Sequence, residues 1–367
     1  MRKPEYLSPT AVDDWGMDGD IVQRSEFYLK RLADNRPPRL AQTQPMAVGS
    51  AFDAYVKSYL HNSLYGNYGK EVEHKIVDVT GVETKIRGPE FDCQMLFDVQ
   101  VEPLNREQAW KDGERCLQMY RDCGALSDLL IELQLAQGDV RFEATVEANV
   151  SHECMVCEVP VLGKPDLSFK TRDDILVVDD WKVNGYYAKS MKSPAKGYIK
   201  CRDAWNYLVA PPSRGGAVVT HKDCMMKQVG GLWINNMIPF EQINEKFARQ
   251  LTMYGWVLGS PIGSDVIIGI EQLCGKPFPS GVLLRVASHR GMVSQKYQFE
   301  LALHISQIWQ CIQDKHIFNW MSLDESQAKC VVLDEYHNMY KEEEDMDEKD
   351  RKLAEWFREN TRPARAW

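Results

Sequence analysis

The sequence predicts an α/β fold, with a central β-sheet and helices before and after it in the chain. Three observations carry that expectation. Between 140 and 182 three stretches, VRFEATVEANV, CMVCEVPVLGKPDLSFK and DILVVDDWK, are rich in Val and Ile and separated by turn residues, as in a β-meander. Segments of helical periodicity flank them, most plainly at 46–60, 105–134, 239–259 and 293–313. After the third of these helices come two more strand-like stretches, VIIGIEQL and GVLLRVASH.

In chain order, a short helix is expected over 10–15 and a second over 21–33, closed by the Pro-rich breaker NRPPRLAQTQP. In MAVGSAFDAYVKSYL, residues Val48, Phe52, Tyr55, Val56 and Tyr59 fall at helical spacing. EHKIVDVT and FDCQMLFDVQV, between 61 and 104, read as strands. The segment 105–134 reads as two helices broken at Gly124, and PPSRGG at 211–216 as a loop. Phe240, Ile243, Phe247, Leu251 and Tyr254 mark one apolar helix face. A charged tail from Glu342 reads as a solvated helix ending near Glu359. No repeat or long polar linker forces a cut. The simplest organisation is one domain over 1–340, with a helical N-terminal part (about 1–135), a core (about 136–320) and a charged tail over 341–367.

Composition narrows the function classes. With 44% hydrophobic and 26% charged residues over 367 positions, the chain has the makings of a packed core. No run of eighteen apolar residues suggests a membrane span, and MRKPEYLSPTAVDDW lacks the apolar centre of a secretory signal, so a cytoplasmic protein is expected. The ten cysteines read mostly as buried small hydrophobes. Cys154 and Cys157 form a CxxC, but one pair supplies half a zinc site and no second pair follows. The eight histidines show no HxxxH or HExxH pairing, and none is assigned to chemistry.

A formal net charge of −9 weighs against a nucleic-acid partner, yet the charge is uneven. Segment 341–350 holds seven acids against two lysines, a candidate protein-binding tail. From Lys182 to Lys200 the lysines 182, 189, 192, 196 and 200 stand with no acid among them. Lys189, Lys192, Lys196 and Lys200, three or four apart, suit either a DNA-facing stripe or a solvated helix face.

The chemistry concentrates in GKPDLSF followed by ILVVDDWKVNG. Asp180 and Lys182 stand two apart on one strand and so project from the same face. A hairpin can bring Asp166 beside them. Asp179 is expected to point to the other side. Two carboxylates and an ammonium at a sheet end suit phosphodiester hydrolysis: Asp166 and Asp180 can hold Mg²⁺ or Mn²⁺, with the Trp181 backbone carbonyl as a further oxygen ligand. Lys182 can orient the attacking water or offset charge on the phosphate.

This order, G-x-x-D then D-x-K after an apolar strand, resembles the PD-(D/E)xK nuclease superfamily. Within it the chain is similar to the RecB-type group, which includes phage recombination exonucleases. Pro165-Asp166 is the PD and Asp180-Trp181-Lys182 the D-x-K. The group also carries a G-x-x-x-H helix, a strand glutamate and a Q-x-x-x-Y helix. Gly49 to Asp53 matches the first with Asp for His. Glu143 or Glu147 supplies the second; both share a face with Thr145, and the sequence does not choose between them. Gln250 to Tyr254 matches the third. Even LSPTAVDDW is similar to the group's opening.

The resemblance spans about 5–315 and implies a restriction-endonuclease-like core: a central mixed β-sheet flanked by helices, with helical N-terminal and C-terminal additions. It further implies a Mg²⁺- or Mn²⁺-dependent deoxyribonuclease, more exonuclease than endonuclease, acting on DNA in recombination, repair or degradation in a phage-like setting. Asp53 becomes a candidate hard metal ligand, or a sign that the metal site has drifted. Gln250 and Tyr254 become candidate supporting residues that touch the lysine or the DNA backbone. With Cys311 and Cys330 alone in the last sixty residues, no iron–sulfur cluster is expected. The alternatives are a weak or inactive DNA-binding relative, and a nuclease subunit active only within a larger complex.

Overall fold

The structure, a computed structural model, describes residues 4–16, 19–34, 41–184, 186–187, 199–202, 226–236, 238–278 and 281–341. The loop expected at 211–216, the lysines 189, 192 and 196 and the acidic tail lie outside the described residues, while Lys200, the last lysine of that series, stands on a strand and not on a helix. By contacts the chain divides into two units, one of Met1–Arg39, Ser151–Val161 and Ala302–Trp367, the other of Leu40–Val150 and Leu162–Leu301.

The first unit begins with α1 (Pro9–Trp15) and α2 (Ile21–Arg31). Ser8 accepts the Ala11 N–H at 3.3 Å with Pro9 at the first helical position, and Asp20 accepts the Gln23 N–H at 2.7 Å. Both are ordinary N-cap chemistry. Trp15 meets the edge of Phe27 at 5.0 Å and lies under the Arg24 guanidinium at 3.5 Å. The late helix α10 (Leu323–Lys341), absent from the sequence expectation, packs on α2, where Tyr28 donates to Asp334 at 2.8 Å. Cys154 and Cys157 lie in turns, not on the strand expected there, and Cys157 donates to the Ser306 carbonyl at 3.4 Å.

The second unit carries α3 (Gln44–Tyr65), β1 (Glu71–Val77), β2 (Glu83–Pro89), α4 (Cys93–Gln100), α5 (Arg106–Asp122) and α6 (Ala125–Gln134). There follow β3 (Gln137–Phe142), β4 (Val146–Val150), β5 (Val159–Gly163, shared with the first unit), β6 (Leu167–Lys170), β7 (Leu176–Asn184) and β8 (Lys200–Arg202). Then come β9 (Met226–Val229), β10 (Leu232–Asn235), α7 (Phe240–Ile243), α8 (Glu245–Val257), β11 (Ile267–Phe278) and β12 (Gly281–Gly291). Helix α9 (Gln295–Gln313) starts in this unit and ends in the first.

Among the described residues six strands form one mixed sheet in the order β3-β6-β7-β11-β12-β8. Only β7 and β11 run parallel, and the chain between them passes through α8, as a parallel crossover requires. Helices cover both faces. Val177, Phe169 and Ile267 pack with Ala51 and Phe52 of α3 and Leu129 of α6, while Val178, Ile268 and Ile270 pack with Ala248 and Leu251 of α8. Neighbouring valines in β7 thus serve opposite cores, which is why that strand reads as a continuous apolar run. The α/β class and the flanked mixed sheet match the sequence expectation.

Two expectations need correction. FDCQMLFDVQV is helix α4, not a strand: Asp92 caps it by accepting the Met95 N–H at 3.0 Å, and Leu96 and Phe97 turn inward together. VRFEATVEANV is not one strand but two, β3 and β4. The break falls at Glu143, which holds a left-handed φ of 50°. A non-glycine residue adopts that conformation only where its surroundings enforce it.

Asp179 does point away from Asp180, but into the protein. It pairs with Arg290 at 2.7 Å, both buried, and Arg290 also bonds the half-buried Glu132 at 2.5 Å. Gly269, its neighbour on β11, makes that possible, since a Cβ there would collide with the Asp179 carboxylate. No helix among the described residues is long and apolar enough to cross a membrane.

Candidate active site

Antiparallel pairing of β6 and β7 sets Leu167 opposite Asp179, so the next step of the register brings Asp166 opposite Asp180. Asp166 accepts the Trp181 N–H at 3.3 Å, which ties its carboxylate to the D-x-K strand. Lys182 contacts Asp180 directly, two residues along the same face. The Lys182 ammonium also lies 5.5 Å from the centre of the Phe247 ring on α8, within reach of a cation–π attraction. Trp181 joins the site through its N–H; its side chain is core.

Behind these residues sits one that sequence reasoning missed. The Lys57 ammonium bonds Asp53 at 2.6 Å, Glu143 at 2.8 Å and Asp166 at 3.3 Å. Its side chain is 0% exposed, whereas Asp166 and Lys182 keep 23% and 27%, so Lys57 forms the floor and the other two the mouth. Asp53 and Lys57 stand one turn apart on α3. That spacing ordinarily signals an exposed helix pair, so nothing in the pattern marks Lys57 as buried.

The structure chooses between the two strand glutamates. Glu143, in its left-handed turn, donates its N–H to the Asp166 carbonyl at 3.2 Å and turns its carboxylate to Lys57. Lys164 at 3.0 Å and the Gln100 amide at 3.2 Å also bond it. Glu147 is exposed on β4 with no described contact to this cluster, which corrects its candidacy as a catalytic residue. The strand face that both shared in the sequence ends at the break.

Gln250 and Tyr254 lie on the inner face of α8, where the Gln250 amide donates to the Tyr254 hydroxyl at 3.1 Å. No contact between Gln250 and Lys182 is found among the described residues; Phe247 occupies that side. Tyr254 instead explains the glycine of the G-x-x-D. A Cβ on Gly163 would come within 2.9 Å of the Tyr254 ring and 2.7 Å of Val257, so only glycine lets α8 close on this strand.

Electrostatics divide the cluster into a charged floor and a proton-sharing mouth. Burial alone would lower the Lys57 ammonium, but Asp166, Asp53 and Glu143 outweigh it and hold the group far above its ordinary range. Lys57 is therefore a permanent cation. Burial alone would raise Glu143, yet Lys57 and Lys164 carry it below its ordinary value. Asp53 is pushed up to about 7 by burial, with Lys57 opposing and Asp166 and Glu143 adding.

Burial and then the neighbouring Asp166 charge drive Asp180 well above the carboxylate range. Asp166 is held below it: Lys57, the contact with Asp180 and Lys182 overcome burial. A buried carboxylate and a half-buried one in contact do not both stay ionised without a proton or a cation between them. Hard oxygen donors with that demand fit a divalent ion of the Mg²⁺ or Mn²⁺ kind. Among the described residues, no three His, Cys, Asp or Glu side chains are arranged to hold a metal by themselves. For Lys182, burial is outweighed by Asp180 and Asp166, and its ammonium is held above the ordinary range.

Compared with protein-family models, curated proteins and solved structures, the chain has no significant match.

Proposed function

We propose that this chain is a Mg²⁺- or Mn²⁺-dependent deoxyribonuclease with a restriction-endonuclease-like core of the PD-(D/E)xK, RecB-like type, acting as an exonuclease on DNA. One observation carries the reading. Asp166 and Asp180, from adjoining segments, meet in a partly exposed cluster with the Lys182 ammonium against Asp180. Motif elements noted in the sequence add to it, since Asp53, Glu143, the Asp166–Lys182 hairpin and Tyr254 come from separate segments of the chain yet border one cluster.

Asp166 and Asp180 are the residues that would hold the cation. When bound, it supplies Lewis-acid polarisation of the scissile phosphate and acidifies a water molecule. Lys182, kept charged by the two carboxylates, is no general base. It donates to the phosphate or to the incoming water and offsets negative charge as the phosphorus centre becomes five-coordinate. Phe247 limits the directions that ammonium can take, and Trp181 N–H fixes one Asp166 oxygen. Water attacks the phosphorus in line as the P–O bond to the departing oxygen breaks, the water's proton passes through solvent to that oxygen, and no covalent enzyme intermediate forms.

Three carboxylates turned onto Lys57 instead of outward favour a second reading: a DNA-binding relative that no longer cleaves. One assay separates them. End-labelled linear, circular and single-stranded DNA are incubated with the chain in Mg²⁺, Mn²⁺ or EDTA. Metal-dependent loss of linear DNA with survival of the circle is the expected result. DNA binding without turnover in either metal overturns the nuclease reading.

A further inference from the structure

We propose that the Lys57 ammonium is a built-in positive centre that stands in for a second metal ion, so that this site takes a single divalent cation on Asp166 and Asp180. The inference rests on the nuclease reading above and deepens it by fixing how many ions the site accepts.

An ammonium has three N–H donors and no more. All three are committed here, to Asp53, Glu143 and Asp166 at 2.6, 2.8 and 3.3 Å. The acceptors come from three separate places, helix α3, the left-handed turn after β3, and the residue before β6. Convergence from that many elements is how a cation site is built, and the cation here is covalently part of α3. Asp166 is the hinge of the arrangement. One of its oxygens meets Lys57, while the other accepts the Trp181 N–H between Asp180 and Lys182, so the carboxylate reaches from the built-in cation to the strand that would hold the ion.

Charge supports the same count. Four carboxylates, Asp53, Glu143, Asp166 and Asp180, face three ammoniums, the enclosed Lys57 and Lys182 and the half-exposed Lys164. Fully ionised, they leave one negative charge, which a single divalent ion already more than offsets. A second ion would have to displace an ammonium with no exposed surface, leaving it buried without its partners. A single ion on two carboxylates keeps its remaining positions for water and phosphate oxygens, the ligand mix Mg²⁺ favours.

The test counts ions on the full chain without DNA, by calorimetric titration with Mn²⁺ and by the electron paramagnetic resonance of free Mn²⁺. One Mn²⁺ per chain is expected. Two per chain overturns this inference and leaves the nuclease reading standing, whereas none overturns both. Asp180→Asn should weaken Mn²⁺ binding by more than about 100-fold, and Asp53→Asn, whose described side-chain bond is to the lysine, should stay within about tenfold with the count still one. Equal loss in the two variants overturns the inference. Lys57→Ala opens the three-carboxylate cage, and its count should rise to two, with a larger Mn²⁺-dependent rise in Tm than the parent shows. A folded Lys57→Ala that still takes one ion overturns the proposal. If that variant does not fold, the parent count and the Asp53→Asn comparison decide.

Discussion

Asp179 and Asp180 are adjacent, chemically identical and turned to opposite faces of β7, so exchanging each for alanine separates stability from chemistry. Asp179→Ala removes one partner from Arg290, whose side chain is 6% exposed. Breaking a buried pair costs about 3–5 kcal/mol. Glu132 at 2.5 Å remains on the other guanidinium nitrogen, which places the cost near the lower end, about 3 kcal/mol. At roughly 2–4 °C per kcal/mol for a unit of this length, Tm should fall by about 6–12 °C. Asp180→Ala removes a buried carboxyl crowded against Asp166 and leaves Lys182 with access to water. Its Tm should stay within about 2–4 °C of the parent, a change of about 1 kcal/mol. Losing a metal ligand that supplies several kcal/mol of transition-state stabilisation should slow cleavage on the order of 10³-fold. Scanning calorimetry and a nuclease assay on both proteins check the pair. An Asp180→Ala enzyme that cuts normally, or an Asp179→Ala protein of unchanged Tm, refutes the assignment of faces and roles.

Lys182→Met should retain one Mn²⁺ per chain but lower kcat by about 10²–10³-fold, since it removes the charge that meets the phosphate; loss within threefold at saturating metal would contradict that role. Glu147→Gln should leave cleavage unchanged and stability within about 0.5 kcal/mol. Glu143→Gln, which weakens the hold on Lys57, should cost about 1–3 kcal/mol by chemical denaturation. His289 is fully buried, stacked on Phe240 at 4.1 Å, and burial lowers its pKa from 6.5 to about 3. The unfolded chain therefore takes up a proton below pH 6.5 that the folded chain refuses down to about 3, so stability is full above 6.5 and falls with pH through that window. His289→Phe should flatten the decline by up to about 1.4 kcal/mol per pH unit between pH 6 and 4, read from urea midpoints. An unchanged slope would show that other groups carry it.

Much of the fold could be read locally. Gly124 splits α5 from α6 where the sequence placed the break, because a left-handed φ of 78° ends one helix and starts the next. The runs at 176–182, 266–273 and 281–289 declared themselves as strands through Val and Ile. FDCQMLFDVQV misled because eight helical residues are too few for apolar spacing to separate helix from strand, and the deciding signal was the Asp92 cap. The composition of the two units was not legible either, as the first gathers three segments each separated from the next by more than a hundred residues.

By itself the sequence determined the α/β class and the pairing of Asp180 with Lys182, because a period of two along a strand is a local property of the backbone. It also offered Asp166 as their neighbour, through the short turn between two strands. Only the tertiary structure chose Glu143 over Glu147, by breaking their strand at a left-handed residue, and turned Asp179 inward to a buried arginine. It alone brought Lys57 from α3 under three carboxylates, converting what spacing reads as a surface pair into the floor of the site. Such contacts depend on which segments meet in space, and nothing in the residues on either side of Lys57 encodes that.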